Sequence, residues 1–265
     1  MDAFVSYLQK QTAAAAGHLG SFERTGDQEE LHQFRVAMKK MNAAAVFLSV
    51  HFPKAGKPRK KLKRVFRAAG LIREQQLRME WLRRNRLQLL AVTAGAAEDL
   101  QFFLSAFGKE KEHNKKVVHR SSARMLVLAH KMPREDIITY AFLQREAVFP
   151  MLAAASQEYW HELRKQIKQL LYALHWMEPA DQVRCLRVKE VQYLDHLQEV
   201  IGAWHDLCDL KQWMSDQQFF LHSDAGVRKA FTKGWSLLQT GLSVAEKTVL
   251  KQLSQHRQKL SLSAS

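Results

Sequence analysis

This sequence predicts an all-α fold, on three observations. Apolar residues recur at three- and four-residue spacing along most of the chain, the period of a helix that buries one face, and no convincing alternating strand interrupts them. Glycine (11) and proline (5) are scarce for 265 residues, so turns are few and helices run long. One amphipathic helical pattern also occurs twice, about 130 residues apart.

The prolines set the joints between elements. Pro53 and Pro58 bracket a short loop, Pro133 stands near the middle, and Pro150 and Pro179 close or open segments. Between them the periodicity predicts helices at roughly 2–17, 28–50, 59–94, 99–131, 135–149, 156–177, 182–216 and 224–260. Glu98 and Asp99, like Glu135 and Asp136, read as acids at helix starts, where they meet the positive end of the helix dipole. Gly95, Gly108 and Gly226 are the expected break points of the longer segments.

The duplicated pattern is explicit in residues 31–48 (LHQFRVAMKKMNAAAVFL) and 160–177 (WHELRKQIKQLLYALHWM), an offset of 129. His32, Arg35 and Lys39 fall on His161, Arg164 and Lys168. The apolar set Leu31, Phe34, Met38, Met41, Ala45 and Leu48 falls on Trp160, Leu163, Ile167, Leu170, Leu174 and Met177. At about 100° per residue each apolar set shares one face, and the His, Arg and Lys at i, i+3 and i+7 cluster on the opposite one. A second echo follows at an offset of 132. Residues 65–77 resemble residues 197–210, with Gly70 over Gly202, Arg73 over His205 and Glu74 over Asp206. Two similar helical halves, 1–132 and 133–265, are therefore expected within a single domain.

Charge narrows the functional classes. The chain has 41 Lys and Arg against 26 Asp and Glu, a net charge of +15, and 12 histidines. Such a surplus attracts a polyanion or an anionic surface. Residues 54–67 (KAGKPRKKLKRVFR) hold eight cations and no acid, and residues 109–124 add Lys115, Lys116, Arg120 and Arg124. Basic runs of this kind are often mere solvated faces, but the same His, Arg and Lys at the same spacing on two helices point to a ligand. Phosphate oxygens accept charge-assisted hydrogen bonds from the Arg fork and the Lys point charge, and an imidazole beside an anion protonates readily.

Other classes fit less well. Cys185 and Cys208 are too few and too far apart for a disulfide framework or a zinc knuckle, and read as buried reduced thiols. The first twenty residues make a poor signal peptide, and no apolar run reaches about 18 residues, so a transmembrane helix is not expected and the cytoplasm is the default address. An interfacial membrane helix is not evident. Of the acidic pairs, Asp206 and Asp209 stand one turn apart, a spacing open to a metal but more typical of a solvated face. No Gly-rich phosphate loop appears, so neither a catalytic residue, a metal nor a cofactor is assigned. A nucleic-acid binder is the main rival to a binder of a simpler phosphate polyanion. Most aromatics, Phe34, Trp160 and Trp176 among them, fall on or near apolar faces, which leaves few platforms for base stacking.

The paired H-x-x-R-x-x-x-K helices, each followed by a helix with a small residue and an R-E or H-D pair, resemble the conserved histidine α-helical domain, the CHAD family. The resemblance covers nearly the whole chain and implies two pseudo-symmetric four-helix halves around a basic central channel. It implies binding of inorganic polyphosphate, often at polyphosphate granules, as in other members. The glutamate-rich strand motif of the enzymes to which some members are fused is absent, so a stand-alone copy is expected, and the acidic groupings argue against catalysis. Carried over by position, the phosphate ligands are His32, Arg35, Lys39 and Lys40 on the first motif helix and His161, Arg164 and Lys168 on the second. Lys63, Arg64, Arg67 and Arg73 follow on the next helix. The second stripe is thinner. Gln169 and Leu171 stand where bases are common, as does Asn42 in the first half, and His205 replaces Arg73, with Tyr172 and His175 expected to refill the face.

Overall fold

The computed structural model describes residues 2–154 and 156–263, and every regular element among them is helical. Eleven α-helices follow in order: α1 (Ala3–Thr25), α2 (Gln28–His51), α3 (Gly56–Arg84), α4 (Gln88–Thr93), α5 (Ala96–Lys109), α6 (Lys111–Ala129), α7 (Arg134–Ala154), α8 (Trp160–Leu174), α9 (Pro179–Cys185), α10 (Val188–Asp216) and α11 (Ala225–Ser263). Short 3-10 turns lie at Pro53–Ala55, Gln157–Tyr159 and Gln218–His222. The all-α expectation holds, and among the described residues no helix is long and apolar enough to cross a membrane.

Local chemistry sets the ends. The Asp2 carboxylate accepts from the Phe4 N–H at 2.9 Å and starts α1. Asp27 does the same for α2, accepting from Glu29 N–H at 2.8 Å, with Glu29 and Glu30 in the first turn against the dipole. Several boundaries differ from the sequence reading. The first helix does not stop at 17, because the buried stripe Phe4, Leu8, Gln11, Ala15, Leu19 and Phe22 keeps its period through Gly17 and Gly20. The segment 59–94 divides after Arg84, where Arg86 takes a positive φ of 56°, and ends before Gly95 at φ 65°. The next segment breaks at Glu110 with Gly108 still inside α5, and Gly226 lies inside α11. Pro179 begins a separate short helix, α9.

The chain forms two compact units. Unit 1 holds Met1–Arg84, Ala91–Ile137 and His175–Met177; unit 2 holds Asn85–Leu90, Ile138–Leu174 and Glu178–Ser265. In unit 1, α2 packs between α1 and α3, and α6 packs on α1 and α3 while α5 packs on α3. Phe4 and Phe47 pack at a tilt against Trp176, with ring centres at 5.2 Å and 5.4 Å, and Trp176 is buried here together with Phe34. In unit 2, α8 and α11 pack on α10, with Trp160 edge-on to Trp204 at 5.1 Å. All twelve apolar positions of the duplicated pattern are buried. Cys185 is buried and Cys208 half-buried, both unbridged, and burial pushes the Cys185 thiol up to about 11.

Phe34 and Leu163 occupy equivalent positions and are both fully buried. Phe34→Ala should destabilise the protein by about 3–5 kcal/mol and Leu163→Ala by about 2–5 kcal/mol, read as lowered midpoints in urea unfolding. Unchanged midpoints would refute the assignment of these faces to the core.

A candidate anion-binding site

The motif arginines are built into helix pairs. On α2, Arg35 crosses to α3, where its Nη1 donates to the Phe66 carbonyl at 2.8 Å and its guanidinium lies 4.3 Å from the Phe66 ring centre. On α8, Arg164 crosses to α10 and its Nε donates to the Gln198 carbonyl at 3.1 Å. Phe66 and Gln198 are themselves equivalent at the offset of 132, so both units make the same contact. The repeated glycines now have a reason. A Cβ on Gly70 would stand 2.8 Å from Arg35 Nη1, and one on Gly202 would stand 2.8 Å from Arg164 Nη2. Each glycine makes the flat seat on which a guanidinium lies.

This arrangement corrects one expectation. Arg35 and Arg164 do not simply face solvent opposite the core; they lie half-buried between helices. Burial lowers the Arg35 pKa, helped by the charge of Arg73. A carbonyl consumes only part of the fork, so part of each guanidinium's hydrogen-bonding capacity remains for an anion.

The motif histidines face the position three residues beyond each glycine. His32 feels Arg73, Lys39 and Arg35, and burial first, then these charges, lowers its pKa from 6.5. His161 lies against His205, with ring centres 4.3 Å apart, and is likewise lowered, by burial and then by His205 and neighbouring cations. Both are therefore imidazoles whose neutral form is favoured in a cationic setting, and an anion placed beside them reverses that balance.

Below the arginines the two units diverge. Lys39 is exposed and Lys40 half-buried on α2. On α3, Lys60, Lys63 and Arg67 are exposed on the side that continues past Gly70 to Arg73, and none of the three pairs with a carboxylate among the described residues. In unit 2 the equivalent of Lys63 is Asp195, and that of Arg67 is Glu199. Lys168 donates to Gln198 Oε1 at 3.0 Å, and Gln198 donates in turn to Asp195 at 3.1 Å. The contrast extends along both helices. Eleven Lys and Arg stand against two Glu in α3, while two Lys stand against six Asp and Glu in α10. By unit, the formal charge of +15 divides into +12 for unit 1 and +3 for unit 2.

Four sequence candidates need comment. Arg64 is exposed but points away from α2, into a cleft that α3 forms with α5 and α6. His175 lies beyond the end of α8 and stacks on Tyr7 of α1 at 6.3 Å, so it belongs to unit 1 and does not refill the second stripe. Tyr172 is largely buried near Arg164 and Asp195, and burial pushes its phenol up to about 12. His205 and Asp209 pair at 3.2 Å, and with Asp206 they place one ligand atom each within 4.8 Å of one another. Sequence reasoning missed Gln198 and counted Lys60 among the cations of residues 54–67 without placing it in the ligand set. The offset of 132 pointed to the first, and its position in the basic run pointed to the second.

These features define a class: an all-α protein in which two units each set an H-x-x-R-x-x-x-K helix on a glycine-bearing helix. The chain belongs to the CHAD family, whose domain model matches residues 6–136 and again residues 115–215. Among solved structures it is similar to the crystal structure of the CHAD domain from the plant Ricinus communis, at 16% sequence identity and a TM-score of 0.74. That match covers 95% of this chain and 90% of the other, and at this identity it is a likeness of fold. No curated protein matches the chain.

Gly70→Ala and Gly202→Ala test the guanidinium seat. Alanine gains about 1 kcal/mol of helix propensity, while a displaced hydrogen bond to a charged group loses about 1.5–3 kcal/mol. A net loss of about 0.5–2 kcal/mol is expected in chemical denaturation; a net gain in both variants would show that the arginines do not depend on these glycines.

Proposed function

We propose that this protein binds inorganic polyphosphate without turning it over, and that unit 1 supplies most of the affinity. The observation that carries this reading is the cationic side of α3. Lys60, Lys63 and Arg67 stand exposed and unpaired beside Arg73, His32 and the seated Arg35. Such a strip offers Lys point charges and Arg forks to a thin chain of phosphoryl groups, while His32 gains a proton when an anion arrives. Unit 2 repeats the Arg and His but carries Asp195 and Glu199 where unit 1 has Lys63 and Arg67, and so contributes less. The half-buried Phe66 ring lies beneath Arg35, which suits a base-free polyanion better than stacked nucleotides. Such a binder fits a cytoplasmic address at polyphosphate granules.

Titration with polyphosphate of defined length, in competition with duplex DNA at matched phosphate and fixed salt, tests the reading. Polyphosphate should displace DNA at a small fraction of the phosphate concentration, and incubation with magnesium should release no orthophosphate above a buffer control. Equal competition by DNA would make the protein a non-specific nucleic-acid binder. Lys63→Ala with Arg67→Ala should weaken polyphosphate binding at least tenfold, about 1.4 kcal/mol, with melting within a few degrees of wild type.

The histidines predict a pH dependence. Their pKa values lie below 6.5 in the free protein and rise beside phosphate, so binding takes up protons and affinity should increase as pH falls from about 8 to about 6. Without ligand the sign is opposite. The folded state binds fewer protons at these sites than the unfolded state, so their contribution to stability declines as pH drops through about 6.5. Polyphosphate titrations and melting curves of wild type and the His32→Gln, His161→Gln variant measure both slopes. Slopes identical in the two proteins would exclude these histidines.

A further inference from the structure

A second feature of unit 1 lies on the other flank of α3. There α3, α5 and α6 enclose a cleft of about 420 Å³, within the range of small-molecule sites. Its lining has three chemically distinct parts. Phe103 and Phe107, with Val65, Leu71 and Val117, supply a largely apolar wall, and Ala68 and Ala106 are small enough to leave a slot beside the rings. Lys61 and Arg64 supply positive charge, His113 stands beside them, and Glu110 is the one acid of the lining. Asn114 lines the same cleft at 5% exposure, and its amide Nδ2 has no hydrogen-bond partner among the described residues.

Buried amides are nearly always paired, so an orphaned donor in the wall of a cleft is an unmet requirement that a ligand can fill. A bare phosphate chain explains the cations of this lining and could accept from the amide, but it has no use for the phenyl ring of Phe103. An anion with a flat, nitrogen-bearing aromatic body uses all three parts. We infer that this cleft is a nucleotide site, with a purine against the half-buried Phe103, Asn114 donating to a ring nitrogen, and Lys61 and Arg64 holding the phosphates. A single amide donor fits N7 of either purine, so a purine nucleotide is assigned, and adenine is the base tested. The exposed Glu110 carboxylate stands as an acceptor for ribose hydroxyls. Arg64, which the sequence grouped with the polyphosphate ligands, serves this cleft.

The inference does not rest on polyphosphate binding, and the test separates the two. Calorimetric titrations of the full chain compare ATP, adenosine and inorganic tripolyphosphate at fixed salt and without magnesium. ATP and tripolyphosphate carry the same number of phosphoryl groups, so a purely electrostatic surface binds them alike. ATP should bind at least tenfold more tightly than tripolyphosphate. Phe103→Ala, at a half-buried position that tolerates truncation, should abolish that preference while long-chain polyphosphate binding stays within twofold. Asn114→Ala should reduce the preference as well. Equal affinity of the wild-type protein for ATP and tripolyphosphate overturns the inference without any variant, as does a preference that survives Phe103→Ala. Failure of long-chain polyphosphate to bind, with the ATP preference intact, would instead sink the function proposed above.

Discussion

The arginine that crosses from the motif helix to a main-chain carbonyl on the next helix is the constraint on which each unit is arranged. A guanidinium lying flat against a helix needs a residue without a Cβ beneath it, which fixes Gly70 and Gly202. It needs an accepting carbonyl, and those of Phe66 and Gln198 lie one helical turn earlier. Once the arginine is seated, helix periodicity fixes the rest. The histidine three residues before it meets position 73 or 205, and in unit 2 the lysine four residues after it, Lys168, reaches Gln198 one turn earlier on the partner helix. The site is thus a by-product of how two helices pack, and its geometry persists where its charge does not.

Much of this was legible in the sequence, for definite reasons. Repetition made the motif visible, and the buried stripes of α2 and α8 follow directly from apolar spacing, since Phe34 and Leu163 leave no choice of face. The seat was not legible. Gly70 and Gly202 were matched to each other, but only coordinates show that what stands above each glycine is an arginine from another helix. Side-chain reach across a helix pair depends on axial rotation and register, which a one-dimensional pattern does not carry. Arg64 shows the same limit. It sits one residue from Lys63 in the basic run, and 100° of helix turn sends it to the opposite flank. His175 was placed by extending α8 past Leu174, where the chain leaves the helix and enters unit 1.

The comparison of α3 with α10 separates what folding requires from what binding requires. Both helices keep the glycine, the buried heptad-like stripe and the accepting carbonyl. Only one keeps the cations. Asp195 and Glu199 would repel a phosphate chain, yet they leave the helix pair intact, and Asp195 anchors the Gln198 amide that also holds Lys168. Packing residues and ligand residues occupy different strips of the same helix, so one strip changes without disturbing the other.

The density of like charge on α3 has a consequence for the empty protein. Lys57, Lys60, Lys61, Lys63, Arg64 and Arg67 crowd two turns and part of a third, and like charges at i, i+3 and i+4 oppose the helix that carries them. Mobile counterions must relieve that strain whenever the ligand is absent. Ionic strength therefore acts on this molecule in two opposed directions. It loosens the grip on a polyanion by competing for the cations, and it steadies the unliganded α3 by screening them from one another.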